Sequence, residues 1–428
     1  MIVKTYRGER VVLADEPLAS GGEGEVRAVI TVPSRFVNVC AKLYFKPKQT
    51  KEHESRIRYM VENPPTSIVG NSIMLAWPLE TIYLPDNTFV GFIMPIAFAK
   101  SKKLTILTLP KLKKSYKEEW YKFDKEGDIK TALISRLKLI NNISIPIHFL
   151  HETNKYVLKD FKPDNVLVSP TGEVTIVDMD SIQICNNEKL IFSGTAATEN
   201  YVPPEFYNQG VGKDPKTPLD KSWDNFAIAV VFYQLLFGLN PYVVTPKIET
   251  EDSCTIPYCI AKNLFPFGKN ASDIAKYPPP HNNFNIVPSQ IKDLFIRAFG
   301  DNPKDRPSVT EWGKTIHTVV VSAITIDKSI EEKSPINKNI KSSRRCPRCR
   351  ASVLISNRFC KSCGYDFSNS SSNTNSTSKQ TTTSNKIYTN NSSPINNELR
   401  ESISIMQILN KIKDIIKRII NLLFIPKP

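Results

Sequence analysis

No stretch of about 20 consecutive apolar residues occurs in this chain, so a helix crossing a bilayer is not expected. The opening residues, MIVKTYRGERVVL, contain no long apolar run either, and a secretory leader is not expected. Disulfide-style cysteine usage is missing as well. Of eight cysteines, Cys40, Cys185, Cys254 and Cys259 are scattered, and the other four form two CxxC pairs. That usage fits a reducing cytoplasm better than a stapled secreted protein. Negative charge is scarce in one region only. The formal net charge is +15, and +11 of it falls from Asp327 onward. If the chain meets an acidic partner, the tail is where it binds; a merely solvated tail is the other reading. No internal repeat is present.

What is there divides into parts. Residues 1–322 read as continuous globular sequence, strand-like early (VVLA, EVRAVITV, VCAKLYF) and helical later (ISRLKLINNISIPIHFLHE, NFAIAVVFYQLLFG, SQIKDLFIRAFG). A strand-rich part before a helix-rich part suggests two lobes. Residues 323–343 are polar and read as a linker, and 344–367 hold the cysteine pairs. Residues 368–397 are rich in Ser, Thr and Asn, cannot bury a core and are expected to be disordered. Residues 398–428 regain helical periodicity.

Residues 18–26 place Gly21, Gly22 and Gly24 between two strand-like segments, ending at Val26. Glycines there allow a tight turn whose N–H groups can approach phosphate oxygens, although a plain hairpin turn has the same composition. Lys42, sixteen residues past Val26, lies in an apolar strand and is a candidate to neutralise phosphates. Glu54, on the helix-like stretch Lys51–Met60, is a candidate to hold that lysine in place.

The most informative segment is VLKDFKPDNVLVSPTGEVTIVDMD, Val157–Asp180. A polar loop precedes an apolar strand, a Ser-Pro-Thr-Gly turn and a second apolar strand that ends on Asp178. Asp160, Asn165 and Asp178 therefore sit at the ends of one hairpin and can converge. Phosphoryl transfer uses such a set: one carboxylate accepts the proton of the attacking hydroxyl, while a carboxylate and an amide hold Mg²⁺ on the phosphates.

These residues resemble the protein kinase superfamily. Asp160-Phe161-Lys162-Pro163-Asp164-Asn165 is similar to the kinase catalytic loop, and Asp178-Met179-Asp180 to its metal-binding DFG element. The resemblance extends over about 300 residues. Leu18–Val26 matches the glycine-rich loop, Lys42 the ATP lysine and Glu54 its helix partner. Met94 falls at the gatekeeper position, with Pro95–Ala97 as the hinge that meets adenine. Val202-Pro203-Pro204-Glu205 resembles the APE motif, Asp224 the buried aspartate of the central helix, and Arg306 the arginine that pairs with the APE glutamate. Lys162 is typical of serine/threonine kinases, and the family implies that it contacts the γ-phosphate. Three positions depart from the pattern: Ala19 replaces the first loop glycine, Lys159 the HRD arginine and Asp180 the DFG glycine. Lys159 implies only weak dependence on phosphorylation at Thr195 or Thr198 in the activation segment. The look-alikes are divergent bacterial kinases with a downstream zinc ribbon.

Residues 346–363 read CPRCRASVLISNRFCKSC, in which Cys346, Cys349, Cys360 and Cys363 can set four thiolates tetrahedrally round Zn²⁺. A redox pair of dithiols is the alternative. With four protein ligands the site is closed, hence structural, and it resembles a zinc ribbon. Arg344, Arg345, Arg348 and Arg350 could bind nucleic acid or acidic protein or form a solvated charged rim, and nucleic acid is not the expected partner. In the last segment Ile405, Ile408, Leu409, Ile412, Ile415, Ile416 and Ile419 recur at three and four, with Lys411, Lys417 and Arg418 mostly elsewhere. Such a basic amphipathic helix lies on an anionic membrane surface, pairs with another helix or folds back on the globular part.

The expected fold is α+β: a two-lobed kinase-like domain with a β-rich first lobe and a helical second, plus a zinc ribbon and a C-terminal helix. The expected activity is ATP- and Mg²⁺-dependent phosphorylation of protein Ser/Thr hydroxyls, in the cytoplasm or at the membrane periphery. A pseudokinase scaffold and a small-molecule kinase are the alternatives. The complete set Lys42, Asp160, Asn165 and Asp178 argues against the first, and the APE-like segment with Arg306 against the second.

Overall fold

A computed structural model of the chain describes residues 1–65, 74–248, 254–333, 343–354, 357–363 and 365–367. The chain divides into two units, residues 1–335 and 336–428. The Ser/Thr/Asn-rich segment and the C-terminal helix expected at 398–428 lie outside the described residues.

The first unit begins with strands β1 (Ile2–Thr5), β2 (Arg10–Ser20), β3 (Gly24–Thr31) and β4 (Val39–Tyr44), then helix α1 (Lys51–Glu62), then β5 (Glu80–Tyr83) and β6 (Phe89–Pro95). The strands close into a barrel in the order β1-β2-β3-β4-β6-β5, with β5 returning to β1 through Lys4 opposite Tyr83. Side chains alternate across a strand. Val3, Val11, Leu13, Ala41, Leu43, Ile82, Val90 and Ile93 therefore fill the barrel. The intervening residues of β4 and β6, Cys40, Tyr44, Phe92 and Met94, face the other way into the main core. Lys42 belongs to that second set by position. Gly24 and Gly91 let β3 and β6 close on β4: a Cβ on either would lie 2.1 Å from the carbonyl oxygen of Leu43 or 1.9 Å from that of Lys42.

The second part is helical around two three-stranded sheets, with a further pair of short strands at Thr245–Pro246 and Ile274–Lys276. Strand β7 (Lys102–Lys103) precedes helix α2 (Ile129–Glu152), which Asp128 caps, and the strands after the helix complete the sheets β7–β9–β10 (β9 Val166–Val168, β10 Val174–Ile176) and β8–β11–β12 (Tyr156–Val157, Gln183–Asn186, Lys189–Phe192). Helices α3 (Pro204–Gln209), α4 (Lys221–Phe237), α5 (Ile256–Ala261), α6 (Ser289–Ala298) and α7 (Val309–Lys333) follow. Helix α4 is apolar nearly all round and buried over almost its whole length, as expected of the centre of a helical lobe. The α+β, two-lobed architecture expected from the sequence is the one observed. Helix α7 differs from expectation in running on to Lys333, through the first part of the stretch read as a linker.

Candidate active site

The site forms where the outward face of β4 meets the β9–β10 hairpin. The hairpin register, Val166 opposite Ile176, brings its two ends together. The Val177 N–H donates to the Asn165 carbonyl at 2.9 Å, which sets Asp178 beside the catalytic loop. Asp178 adopts a left-handed backbone (φ 63°), an uncommon conformation for a non-glycine residue and one often found at functional sites.

The loop itself is held from below. Asp224, fully buried on α4, accepts the backbone N–H groups of Leu158 (2.7 Å) and Lys159 (2.9 Å) and lies 2.9 Å from His151 Nε2 at the end of α2. Lys159 is left-handed (φ 65°), and its ammonium donates to the Gly194 carbonyl at 3.0 Å. Glu205 and Arg306 form a two-point ion pair (2.7 and 2.8 Å) that ties α3 to the segment before α7, as the family resemblance implied.

Asp160 is nearly buried. Its carboxylate accepts from the Lys162 ammonium (2.6 Å) and from the Thr198 hydroxyl (2.6 Å), and Lys162 also donates to the Thr198 oxygen (2.9 Å). The Asn165 amide donates to the Asp160 carbonyl at 2.9 Å, so the amide oxygen is left for another partner. Thr198, singled out in the sequence only as a hydroxyl of the activation segment, is thus part of the site; Thr195 is not among these contacts.

On the barrel side the Gly21 N–H donates to the Gly24 carbonyl at 2.9 Å and closes the turn between β2 and β3. Gly22 is bordered by open space. Val26 lies opposite Lys42, and Met94 opposite Cys40, so both line the face that carries the lysine.

One assignment is corrected. Lys42 does not pair with Glu54. Its ammonium contacts both oxygens of Asp180 (2.7 and 2.8 Å) and one of Asp178 (3.2 Å), and the Tyr44 hydroxyl donates to Asp180 at 2.6 Å. Glu54 accepts instead from the Tyr83 hydroxyl at 2.8 Å. The cause is helix register. Thr50 caps α1, which turns Arg56, Ile57 and Met60 inward. At about 100° per residue, Glu54 is roughly 200° round the helix from Arg56, on the far side. Arg56 instead donates to the carbonyls of Ile182 (2.7 Å) and Ser193 (2.5 Å), pinning the activation segment to α1.

The charges around Lys42 divide unequally. Burial opposes its positive charge, but Asp180 and Asp178 outweigh burial and raise its pKa. Burial likewise opposes ionisation of Asp180, and Lys42 and Tyr44 overcome it, holding the carboxyl below its ordinary range. Asp178 is raised, first by burial and then, against the pull of Lys42, by the neighbouring Asp180 charge. Tyr44 and Asp180 were not singled out as Lys42 partners in the sequence. Their signals were present: Tyr44 is two residues on, hence on the same strand face, and Asp180 is a charge where a glycine is usual.

In the second unit, strands Ser343–Arg345 and Ser352–Leu354 pair antiparallel. The sulfurs of Cys346, Cys349, Cys360 and Cys363 all lie within 4.8 Å of one another, with 3.6 Å between Cys346 and Cys363 and between Cys349 and Cys360. Disulfide sulfurs would be about 2.05 Å apart, whereas thiolates at about 2.3 Å from a tetrahedral Zn²⁺ are about 3.8 Å apart. Burial acts against ionisation of Cys360, but the backbone N–H groups of Ser362 and Cys363 outweigh it and bring the thiol down to about 7. At this spacing the four sulfurs can hold a metal ion.

Comparison with known proteins agrees with this geometry. The protein kinase domain family matches residues 96–316, just over half of the chain. Serine/threonine-protein kinase 17A of Oryctolagus cuniculus is 32% identical over 208 residues, covering 47% of this chain and 46% of that protein. Serine/threonine-protein kinase PknD of Chlamydia trachomatis is 26% identical over 221 residues, 46% of this chain and 21% of that protein. Serine/threonine-protein kinase MRCK gamma of Mus musculus is 32% identical over 107 residues, 25% of this chain and 7% of that protein. The chain thus spans less than half the length of these curated relatives. The match covers the catalytic loop, the Asp178 segment and the Glu205–Arg306 pair, and the barrel supplies Lys42 opposite them: the chain belongs to the protein kinase family.

Proposed function

We propose that the chain transfers the γ-phosphate of ATP to Ser or Thr hydroxyls of protein substrates. The observation that carries this reading is the 2.6 Å hydrogen bond from the Thr198 hydroxyl to Asp160, steadied by Lys162. An aliphatic hydroxyl is already accepted at the carboxylate that would take the proton. In the reaction Asp160 orients the substrate hydroxyl and receives its proton, and Lys162 offsets charge beside it. Lys42 neutralises phosphate oxygens, and the Gly21–Gly24 turn leaves room for them. The donor set of Asn165 and Asp178, one amide oxygen and one half-exposed carboxylate, suits a hard cation such as Mg²⁺. That ion would neutralise charge on the phosphates. The test is ATP transfer by purified protein beside Asp160→Asn, with mass spectrometry of the products. Phosphoserine or phosphothreonine formed by wild type and lost in the variant supports the reading; equal transfer by both rejects it.

The activation segment is held without a phosphate, since Lys159 donates to a backbone carbonyl and Arg56 to two more. Thr195→Ala is accordingly expected to keep activity within about threefold, a surface-sized effect. A loss of orders of magnitude in the same assay would refute this.

We further propose that the four cysteines hold one structural Zn²⁺, and that the basic segment 398–428 lies on anionic membrane. Its tether of about 30 residues reaches roughly 30 Å as a flexible coil, and each basic residue near anionic lipid contributes on the order of 1 kcal/mol. Full-length protein should float with anionic vesicles at low salt, and a 1–397 chain should not. If neither floats, helix pairing is the better account.

A further inference from the structure

We propose that Asp180, inside the metal-binding segment, is the positioning residue that aims Lys42 at the nucleotide phosphates, a role that no carboxylate of α1 fills. This rests on the reading of the site as an ATP-phosphate site. Three observations carry it. Both oxygens of Asp180 lie on the Lys42 ammonium, at 2.7 and 2.8 Å, and Tyr44 from the same strand face donates a further hydrogen bond at 2.6 Å. The inward side of α1 presents Arg56, Ile57 and Met60, with His53 edge-on to Tyr44, and the Glu54 carboxylate is bonded to Tyr83. Asp178 and Asp180 differ in access: 38% of the Asp178 side chain is exposed, against 3% for Asp180.

The last difference divides the work. Two carboxylates two residues apart face one ammonium. The enclosed one is committed to Lys42, and the open one remains available to a cation in the cleft. The turn is closed by the Ser181 hydroxyl donating to the Asp178 carbonyl at 2.8 Å, so the two carboxylates are set by the same few residues. Lys42 is then in place whenever the Asp178–Ser181 turn is in place. Displacement of α1 does not release it through a broken ion pair. Helix α1 acts on the activation segment instead, through Arg56.

The test uses full-length protein. Asp180→Asn keeps the shape and removes the charge; Asp180→Gly, which leaves no side chain, serves if the amide variant does not fold. Measured are kcat, KM for ATP, Mg-ADP affinity by calorimetry and thermal unfolding. With its lysine misaimed, the Asp180 variant should lose about 100-fold in kcat/KM for ATP while still unfolding cooperatively. Glu54→Gln should stay within about twofold of wild type. A residue acting only through Lys42 should also be silent in its absence, so Asp180→Asn should change Mg-ADP affinity by less than about twofold in a Lys42→Ala background. The inference is overturned if the Asp180 variant keeps its kcat/KM, if Glu54→Gln is the more damaging change, or if the losses multiply in the double variant. If wild type transfers no phosphate at all, the proposed function falls, and the Mg-ADP cycle between Lys42 and Asp180 still decides this point.

Discussion

Asp178→Asn is expected to lower phosphoryl transfer by on the order of 10³-fold, the scale of losing one preorganised charge at a reacting phosphate. Asp178 is the half-exposed carboxylate of the Lys42 cluster, next in the chain to the residue bonded to Asn165. An amide in its place is neutral, and it leaves the dication without the one carboxylate of its donor set. Folding should hardly notice. Burial already disfavours the Asp178 charge, and its removal leaves Lys42 and Asp180 as a one-to-one pair. Stability within about 1 kcal/mol of wild type is therefore expected, measured by denaturant unfolding beside the transfer assay. A well-folded Asp178→Asn protein with full activity would remove Asp178 from the chemistry.

Removing the metal should produce the other large effect, confined to the second unit. Cys346, Val353 and Cys360 are its buried centre, with Ala351, Cys363, Tyr365 and Phe367 against them. That is too little apolar surface to order such a segment. The free energy of binding structural zinc, about 10–16 kcal/mol in small zinc modules, would supply nearly all of its stability. Freshly purified protein should contain one zinc per chain. A strong chelator, or Cys360→Ser, should abolish hydrogen-exchange protection across 343–354 and 357–363. Phosphoryl transfer should be retained, because Asp160 and Asp178 belong to the other unit. Protein with no bound metal and an ordered ribbon would refute the assignment.

Much of the site was legible in the residues because its geometry is local. A hairpin of three-residue strands brings Asn165 and Asp178 to one end, with Asp160 in the loop just before it. Cysteines three positions apart on each of two turns can close on one ion in the same way. Lys42 was legible only as a lysine in an apolar strand, and its face, away from Ala41 and Leu43 in the barrel interior, came from the structure. The pairing of Glu205 with Arg306, distant in sequence, was reachable only through the resemblance to a family.

What only tertiary structure decided is which carboxylate Lys42 meets. Spacing placed Glu54 on a helix after the lysine strand, but a helix offers every azimuth within one turn. The face turned inward depends on where Thr50 caps α1 and on Ile57 and Met60 packing into the core. That packing sends Glu54 to Tyr83 on β5 and Arg56 to the activation segment. Asp180 reaches Lys42 for a similar reason: a left-handed Asp178 followed by a single tight turn aims the next carboxylate back at β4. Thr198 reaches Asp160 across a segment whose path is set by Arg56 and Lys159 holding distant carbonyls. The residues alone carried the resemblance to the family through the order of its motifs, and they carried the catalytic hairpin and the cysteine pairs because short-range chain geometry suffices for those two. The partner of the lysine and the hydroxyl at the base were left to packing, because they depend on how a helix and a long loop settle against a strand far away in the chain.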